Sequence, residues 1–262
     1  VKQTLRTALI TGASSGIGAA FARRLARQRH HLILVARRES KLQELAVELQ
    51  QQYGATAEVL PADLSEPEGI RRVEERIVAA GALDLLINNA GFGTYGYFTD
   101  VSADRHEDMI NVHVTASIRL CRAALPLMLK RGRGGIINVA SVAAFFPLPG
   151  NSTYAASKAY LVTFSEALQR EIAGGGVKIQ ALCPGFTVTE FHGTPKYADF
   201  NRSEVPKALW MSSEDVVSAS LRALRRNHVI CIPGWKYQVL VRMGQNRAMA
   251  SLLSVLRRRQ CS

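Results

Sequence analysis

No aspartate or glutamate occurs after Asp215, although Arg222, Arg225, Arg226, Lys236, Arg242, Arg247, Arg257, Arg258 and Arg259 all do. Of the 33 basic and 21 acidic residues, 24 basic and all 21 acidic ones therefore lie in the first 215 positions. The formal charge of +12 describes a near-neutral body with a basic tail, and no nucleic-acid partner is expected from it. Cysteine is scarce: Cys121, Cys183, Cys231 and Cys261 lie far apart, with no Cys-x-x-Cys pair and no histidine at zinc spacing. This excludes a disulfide framework and a metal site of that kind, and fits reduced thiols in a cytoplasmic protein. Long apolar runs are missing too. The longest uncharged stretch, Gly134 to Lys158, is interrupted by Asn, Ser, Pro and Gly, so no membrane-spanning helix is expected. The first residues read as the approach to a strand and not as a secretory signal.

What is present is alternation. Short apolar runs at Thr7–Ile10, Leu32–Val35, Ala57–Leu60, Leu85–Ile87, Ile136–Val139, Ile179–Leu182 and Val229–Ile232 read as buried strands. Between them, helical periodicity fills Gly16–Arg29, Glu39–Tyr53, Pro67–Ala80, Ala103–Lys130 and Ser152–Ala173. No repeat, low-complexity segment or linker divides the chain. The expectation is one α/β domain, a doubly wound parallel sheet of about seven strands with helices on both faces, whose site forms at the carboxyl ends of the strands.

The first such end carries Thr11-Gly12-Ala13-Ser14-Ser15-Gly16-Ile17-Gly18, opening into a helix. Glycine lets the backbone turn tightly and approach an anion, and the free amides and dipole of the helix start attract phosphate. The spacing Gly-x-x-x-Gly-x-Gly, without the lysine of a nucleotide-hydrolysing loop, favours a dinucleotide over a plain strand-to-helix turn. After the second strand stands Ala36, followed by Arg37 and Arg38, where NAD-binding chains commonly place an acid. Two guanidiniums there suit a 2′-phosphate and so NADPH; the competing reading is a solvated basic turn.

The richest chemistry runs from Ser141 to Lys158. Tyr154 and Lys158 stand four apart on an expected helix and hence on one face. A phenol of ordinary pKa near 10 is a poor proton shuttle at neutral pH unless a cation favours its anion, and Lys158 supplies one. Ser141, at the end of the fifth strand, can hydrogen-bond a substrate oxygen. Tyr-x-x-x-Lys alone is common and more often marks a surface pair.

Together with the glycine loop, these residues resemble the short-chain dehydrogenase/reductase family, in its compact single-domain branch. The resemblance runs nearly the length of the chain: Thr11–Gly18 matches the cofactor loop, Asp63-Leu64 the adenine contact, and Asn88-Asn89-Ala90-Gly91 the motif after the fourth strand. Asn111, Ser141, Tyr154 and Lys158 match the catalytic tetrad, and Pro184-Gly185-Phe186-Thr187-Val188-Thr189 the nicotinamide-side loop. It implies a Rossmann-type fold, NADPH held by Gly12, Ser14, Ser15, Gly16, Ile17, Gly18, Arg37, Arg38, Asp63, Leu64, Asn89, Ala90, Gly91, Tyr154, Lys158, Pro184, Gly185, Thr187 and Thr189, and hydride exchange with a carbonyl. Tyr154 would pass the proton, Lys158 would lower its proton affinity, Ser141 would polarise the carbonyl, and Asn111 would hold a water linking Lys158 to solvent. The family habit is a homodimer or homotetramer, paired through the helices at 103–130 and 152–173.

Eleven of the 18 aromatic residues fall on the three loops of the reacting edge: Phe92, Tyr95, Tyr97, Phe98, Phe145, Phe146, Phe186, Phe191, Tyr197, Phe200 and Trp210. Such walls suit a bulky apolar ketone or aldehyde, with Ser141, Phe92, Phe145, Phe186 and Phe191 as substrate contacts; core packing beneath the loops is the alternative. A substrate lid is expected at about 193–213 within a domain spanning residues 1–235. Residues 236–262 then read as a basic amphipathic helical extension, with Met249, Leu252, Leu253 and Leu256 on one stripe. That extension either docks on the body or touches an anionic membrane surface or an acidic acyl-carrier protein. Three functions are kept: a ketone reductase, an alcohol dehydrogenase working in the oxidative direction, and a cofactor-sensing binding protein without turnover.

Overall fold

The computed structural model describes residues 6–94, 96–190 and 205–245. Seven parallel strands form one sheet: β1 (Arg6–Thr11), β2 (His30–Ala36), β3 (Ala57–Pro61), β4 (Leu85–Asn88), β5 (Gly134–Val139), β6 (Val177–Leu182) and β7 (Ile230–Cys231). Their order is β3-β2-β1-β4-β5-β6-β7, so the winding reverses between β1 and β4. A crevice opens at that reversal, outside the carboxyl ends of the strands. The register sets Ile10 beside both Leu34 and Ile87, and Ile87 beside Ile137.

Because side chains alternate along a strand, these apolar runs feed two cores at once. Ala8, Ile10, Leu32 and Leu34 face Phe21 and Leu25 of α1 (Gly16–Ala26), Leu42, Leu45 and Leu49 of α2 (Glu39–Tyr53), and Val216, Val217 and Leu221 of α7 (Ser213–Arg225). Leu9, Ile33 and Val35 face Ile70, Val73 and Ile77 of α3 (Pro67–Ala80) and Leu120, Ala124 and Met128 of α5 (Ala116–Lys130). The helix α6 (Ser152–Glu171) closes the second face over β5 and β6, where Leu161 and Val162 meet Ala181 and Cys183. A buried polar chain crosses this side. Asn88 Nδ2 donates to Asn138 Oδ1 at 2.8 Å, and Asn138 Nδ2 donates to Ser165 Oγ at 3.0 Å, pinning β4, β5 and α6 in register.

Three helices depart from expectation, α6 the least, since it ends at Glu171 and not at Ala173. The first helix, α1, ends at Ala26 and not at Arg29, because Arg29 adopts a left-handed conformation (φ 58°) that turns the chain into β2. The long 103–130 helix is interrupted: α4 (Ala103–Ile110) and α5 are joined by a π-turn at Asn111–Thr115. Asn, His, Val and Thr are all weak helix formers, so little local preference resists the wider turn. By length and mean hydropathy this helical stretch also suffices to cross a membrane, but Val112, Ala116, Leu120, Cys121, Ala124 and Met128 are buried in the core it forms with α3 and the sheet.

The last described helix, α8 (Trp235–Gln245), is seated on the body from its first turn. Tyr237 and Val241 are buried, and the Tyr237 hydroxyl accepts from Phe186 N at 2.9 Å and donates to Leu209 O at 2.7 Å. The expected boundary after residue 235 thus falls inside a packed joint. The outward face of α8 carries Trp235, Val239, Leu240 and Met243. The basic tail with Met249, Leu252, Leu253, Leu256 and Arg257–Arg259 lies outside the described residues, as do Cys261, Tyr95, Phe191, His192, Tyr197 and Phe200.

Candidate active site

The loop between β1 and α1 is a cradle that excludes side chains. Gly12 (φ 64°) and Gly16 (φ 54°) hold left-handed conformations, and a Cβ at Gly12 would stand 2.8 Å from Asn89 Nδ2. A Cβ on Gly18 would collide with the Gly12 carbonyl. These glycines keep the helix start bare, so the first-turn amides of α1 face the crevice end of the sheet with no intrahelical partners. Asn89, expected as a cofactor contact, spends its amide on the loop itself, donating to Thr11 O at 2.9 Å and Gly12 O at 3.1 Å. Thr11 Oγ1 in turn accepts from the amides of Asn89 and Ala90, both at 2.9 Å. The β1 and β4 loops therefore form one unit. Leu64 is buried in the core beneath α3, and Ile17 packs half-buried against the opposite core beneath α1, so their side chains are structural.

The arginines after β2 are held by acids. Arg37 approaches Asp63 at 3.6 Å; Arg38 pairs with Glu190 at 3.0 Å and donates to Ser14 Oγ and Ser15 Oγ, each at 3.0 Å. Burial opposes ionisation of Asp63, but donations from the Ser65 hydroxyl and amide and the nearby Arg37 hold its carboxyl below the usual range. Glu190 was not singled out in the sequence, because its partner is 152 residues away. A cavity of about 430 Å³ opens beside this cluster, lined by Ser14, Ser15, Gly16, Lys41, Thr189 and Glu190 among others.

On the other side of the crevice, Tyr154 and Lys158 share the inner face of α6. Lys158 Nζ lies 5.6 Å from the Tyr154 ring centre and donates to Val139 O at 2.9 Å. Ser141 hydrogen-bonds the Tyr154 phenol, and its Oγ also accepts from Ala143 N at 3.1 Å, which fixes the hydroxyl at the end of β5. The expected electrostatics are reversed here. Burial pushes the Tyr154 phenol above its usual pKa against the opposing Ser141 hydrogen bond, and burial lowers the Lys158 ammonium to about 7. Desolvation dominates both shifts because each group is enclosed by the packed fold.

Between about 7 and 10.5, the unfolded chain holds a proton on Lys158 that the folded chain does not, so its contribution to stability rises with pH across this window and is least favourable below 7. Lys158→Met removes the buried charge at similar volume. Its melting temperature should exceed the parent's most at pH 6, with the gap narrowing by pH 9. A pH-independent difference in thermal unfolding would show that Lys158 stays charged in the folded state.

Asn111 opens the π-turn, where its Nδ2 donates to Ser65 O at 3.2 Å. Its amide is thus tied to the segment after β3. Pro184 and Gly185 follow β6: Pro184 O accepts from Val142 N at 3.0 Å, and Gly185 lies flat against the Tyr237 ring, leaving no room for a Cβ. Thr187 is buried and bridged to Met211, while Thr189 Cγ2 would touch a Cβ on Gly16 at 3.0 Å. The part of the expected lid that is described, residues 205–213, is stitched to the body through Met211 N to Phe186 O and Val188 N to Met211 O, both 2.9 Å. Residues 193–204 lie outside the described residues.

The aromatic wall is divided. Phe186 meets Trp210 at 5.4 Å between ring centres, and Phe145 packs half-buried over α6. Phe92, expected at the substrate, lies beneath the Arg105 guanidinium at 3.5 Å and beside His113, and so belongs to the packing of α4. Tyr97 and Phe98 are exposed. Cys121, Cys183 and Cys231 are buried free thiols, with burial raising Cys121 to about 12 and Cys231 to about 11; no metal-ligating cluster occurs among the described residues.

A glycine cradle at the winding reversal, facing Ser141 at the end of β5 and Tyr154 and Lys158 on α6, coincides with the match of the short chain dehydrogenase family model to residues 6–196. The chain belongs to the short-chain dehydrogenase family. As an oxidoreductase of that family, it superposes with TM-score 0.83 on a short-chain dehydrogenase from Sphingobium yanoikuyae in complex with NADPH, at 36% identity over 95% of this chain and 96% of that one. A bulky-bulky ketone specific alcohol dehydrogenase from Comamonas testosteroni gives TM-score 0.79 at 32% identity, covering 96% of this chain and 95% of that one. A human relative, inactive hydroxysteroid dehydrogenase-like protein 1, is 36% identical over 191 residues, 72% of this chain and 58% of that one.

Proposed function

We propose that this short-chain dehydrogenase is an NADPH-dependent reductase of bulky, apolar ketones or aldehydes, with Tyr154 as the proton donor. The observation that carries the reading is the hydrogen-bonded Ser141–Tyr154 pair above a buried Lys158. Two hydroxyls held together at the end of β5 can both face one carbonyl oxygen as it takes on negative charge. Burial keeps the phenol protonated, which is the state a reduction needs at its start. In this reading Ser141 orients and polarises the carbonyl and Tyr154 delivers a proton to its oxygen. Lys158 holds the ribose edge of the cofactor, and Asn111 orders the turn behind it.

The cradle fits a dinucleotide: a Cβ at Gly12 or Gly18 would run into backbone, so glycine there keeps the loop folded tightly at the helix start. NADPH, when bound, supplies the hydride; Gly12 to Gly18 would hold its pyrophosphate, Arg37 and Arg38 its 2′-phosphate, and the Gly91 and Thr187–Thr189 loops its nicotinamide side. Support for this cofactor comes from the two guanidiniums and from the NADPH found in the Sphingobium relative. Support for a bulky substrate comes from the Phe145, Phe186 and Trp210 wall and from the ketone specificity named for the Comamonas relative.

NADPH oxidation across ketones ordered by chain length and ring number tests this. Ketones with two large substituents should give the highest kcat/KM. Turnover confined to small polar carbonyls would refute the substrate class. The name of the human relative keeps a binding-only function as a second reading, and no turnover across the panel despite saturable NADPH binding would establish it.

A further inference from the structure

We propose that His113 is a positioning residue that locks the nicotinamide-side loop after β4 to the catalytic face of α6, and so sets the distance over which hydride and proton are delivered. The inference rests on the function proposed above.

His113 is 1% exposed and stands in the π-turn between α4 and α5. A π-turn inserts an extra residue, so side chains within it point where a continuous α-helix would not send them. The imidazole reaches two different elements. Nε2 lies 3.1 Å from the backbone amide of Phe92, and Nδ1 lies 2.9 Å from Ser157 Oγ. Ser157 Oγ in turn donates to Tyr154 O at 2.8 Å. An amide can only donate, so Nε2 must be the acceptor and Nδ1 must carry the proton. The chain of donation runs one way, from Phe92 N–H into the ring, from Nδ1–H to Ser157, and from the Ser157 hydroxyl to the carbonyl of Tyr154.

The same ring lies edge-on to the Tyr154 ring, 5.7 Å between centres at 77°. It also sets the approach of the loop: a Cβ on Gly91 would stand 2.9 Å from His113 Nε2 and 3.4 Å from Lys158 Nζ. Gly91, Tyr154 and Lys158 are therefore gathered around one imidazole. Protonating it would set two N–H groups against each other at Phe92. Burial, with Lys158 and Arg105 facing the ring, keeps it neutral by lowering its pKa well below the usual value. The blander role, a satisfied core histidine, would need neither contact to lie on the reacting elements.

The test uses the full chain, His113→Phe and His113→Gln. Phenylalanine keeps the ring and loses both hydrogen bonds, whereas glutamine can return an acceptor to Phe92 N. His113→Phe should lower kcat about 10- to 100-fold, as small misplacements at a reacting centre do, with the ketone KM within about threefold. The isotope effect with NADPH deuterated at the transferred position should rise, and His113→Gln should recover most of the loss. A purely structural histidine would instead lower the melting temperature with kcat and the isotope effect unchanged, and that result overturns the proposal.

Failure of the underlying reading has its own signature, because the parent would then show no turnover and Tyr154→Phe would match it. In that case the lock is judged on the NADPH complex alone. His113→Phe must weaken NADPH binding and speed amide hydrogen exchange in residues 89–94, both reversed by His113→Gln; unchanged exchange there removes the lock as well.

Discussion

Tyr154→Phe is expected to lower NADPH-dependent ketone reduction by about 100- to 10,000-fold, the usual span for losing a positioned acid, while NADPH affinity stays within about threefold. The ring keeps its volume, its edge-on contact with His113 and its place above Lys158, so the cradle and α6 have no reason to move. The deleted hydroxyl leaves Ser141 without the phenol, but the Ser141 Oγ contact with Ala143 N remains and keeps that side chain in place. Burial already disfavours ionisation of the phenol, so removing it costs the fold little charge stabilisation. Turnover should therefore fall through kcat, and thermal stability should be nearly that of the parent. Stopped-turnover and nucleotide-binding measurements on the same preparation check both halves. Activity within about tenfold of the parent would sink Tyr154 as the proton donor.

The second large effect concerns cofactor choice. Replacing Arg37 and Arg38 together with alanine should weaken NADPH about 10- to 1,000-fold and change NADH affinity less than about threefold. Hydrogen bonds to charged groups contribute about 1.5–3 kcal/mol each, and about 1.4 kcal/mol is a factor of ten. The acids that now hold these arginines do not prevent this. Arg37–Asp63 and Arg38–Glu190 are largely exposed pairs, worth about 0–1 kcal/mol, so a phosphate dianion can compete for both guanidiniums. Arg38 is also pre-aimed, since Ser14 and Ser15 hold its guanidinium over the start of α1. Equal losses for the two nucleotides would show that the arginines serve Asp63 and Glu190 alone.

Arg37 and Arg38, expected to suit a 2′-phosphate, are brought by the fold to Asp63 and Glu190. The acid-free stretch after Asp215 begins on α7 and α8, which are packed parts of the body, and its last arginines lie outside the described residues.

The sequence by itself determined the layered α/β plan, because strands buried on both faces must be unbroken apolar runs and the helices between them must show one apolar stripe. The termini of α2 and α3 coincide with the expected ones, since a left-handed Gly54 ends one helix and Pro67 opens the other. It also placed Tyr154 and Lys158 on one helical face, a relation of four residues that needs no tertiary knowledge. Tertiary structure alone decided what joins distant segments: Glu190 to Arg38, Tyr237 to Gly185 and Phe186, and His113 to Phe92 and Ser157. Those pairings depend on which loops the strand order brings together, and no local pattern encodes them. It also decided the proton affinities of Tyr154 and Lys158, because desolvation is a property of everything packed around a group and not of the four residues that separate the pair.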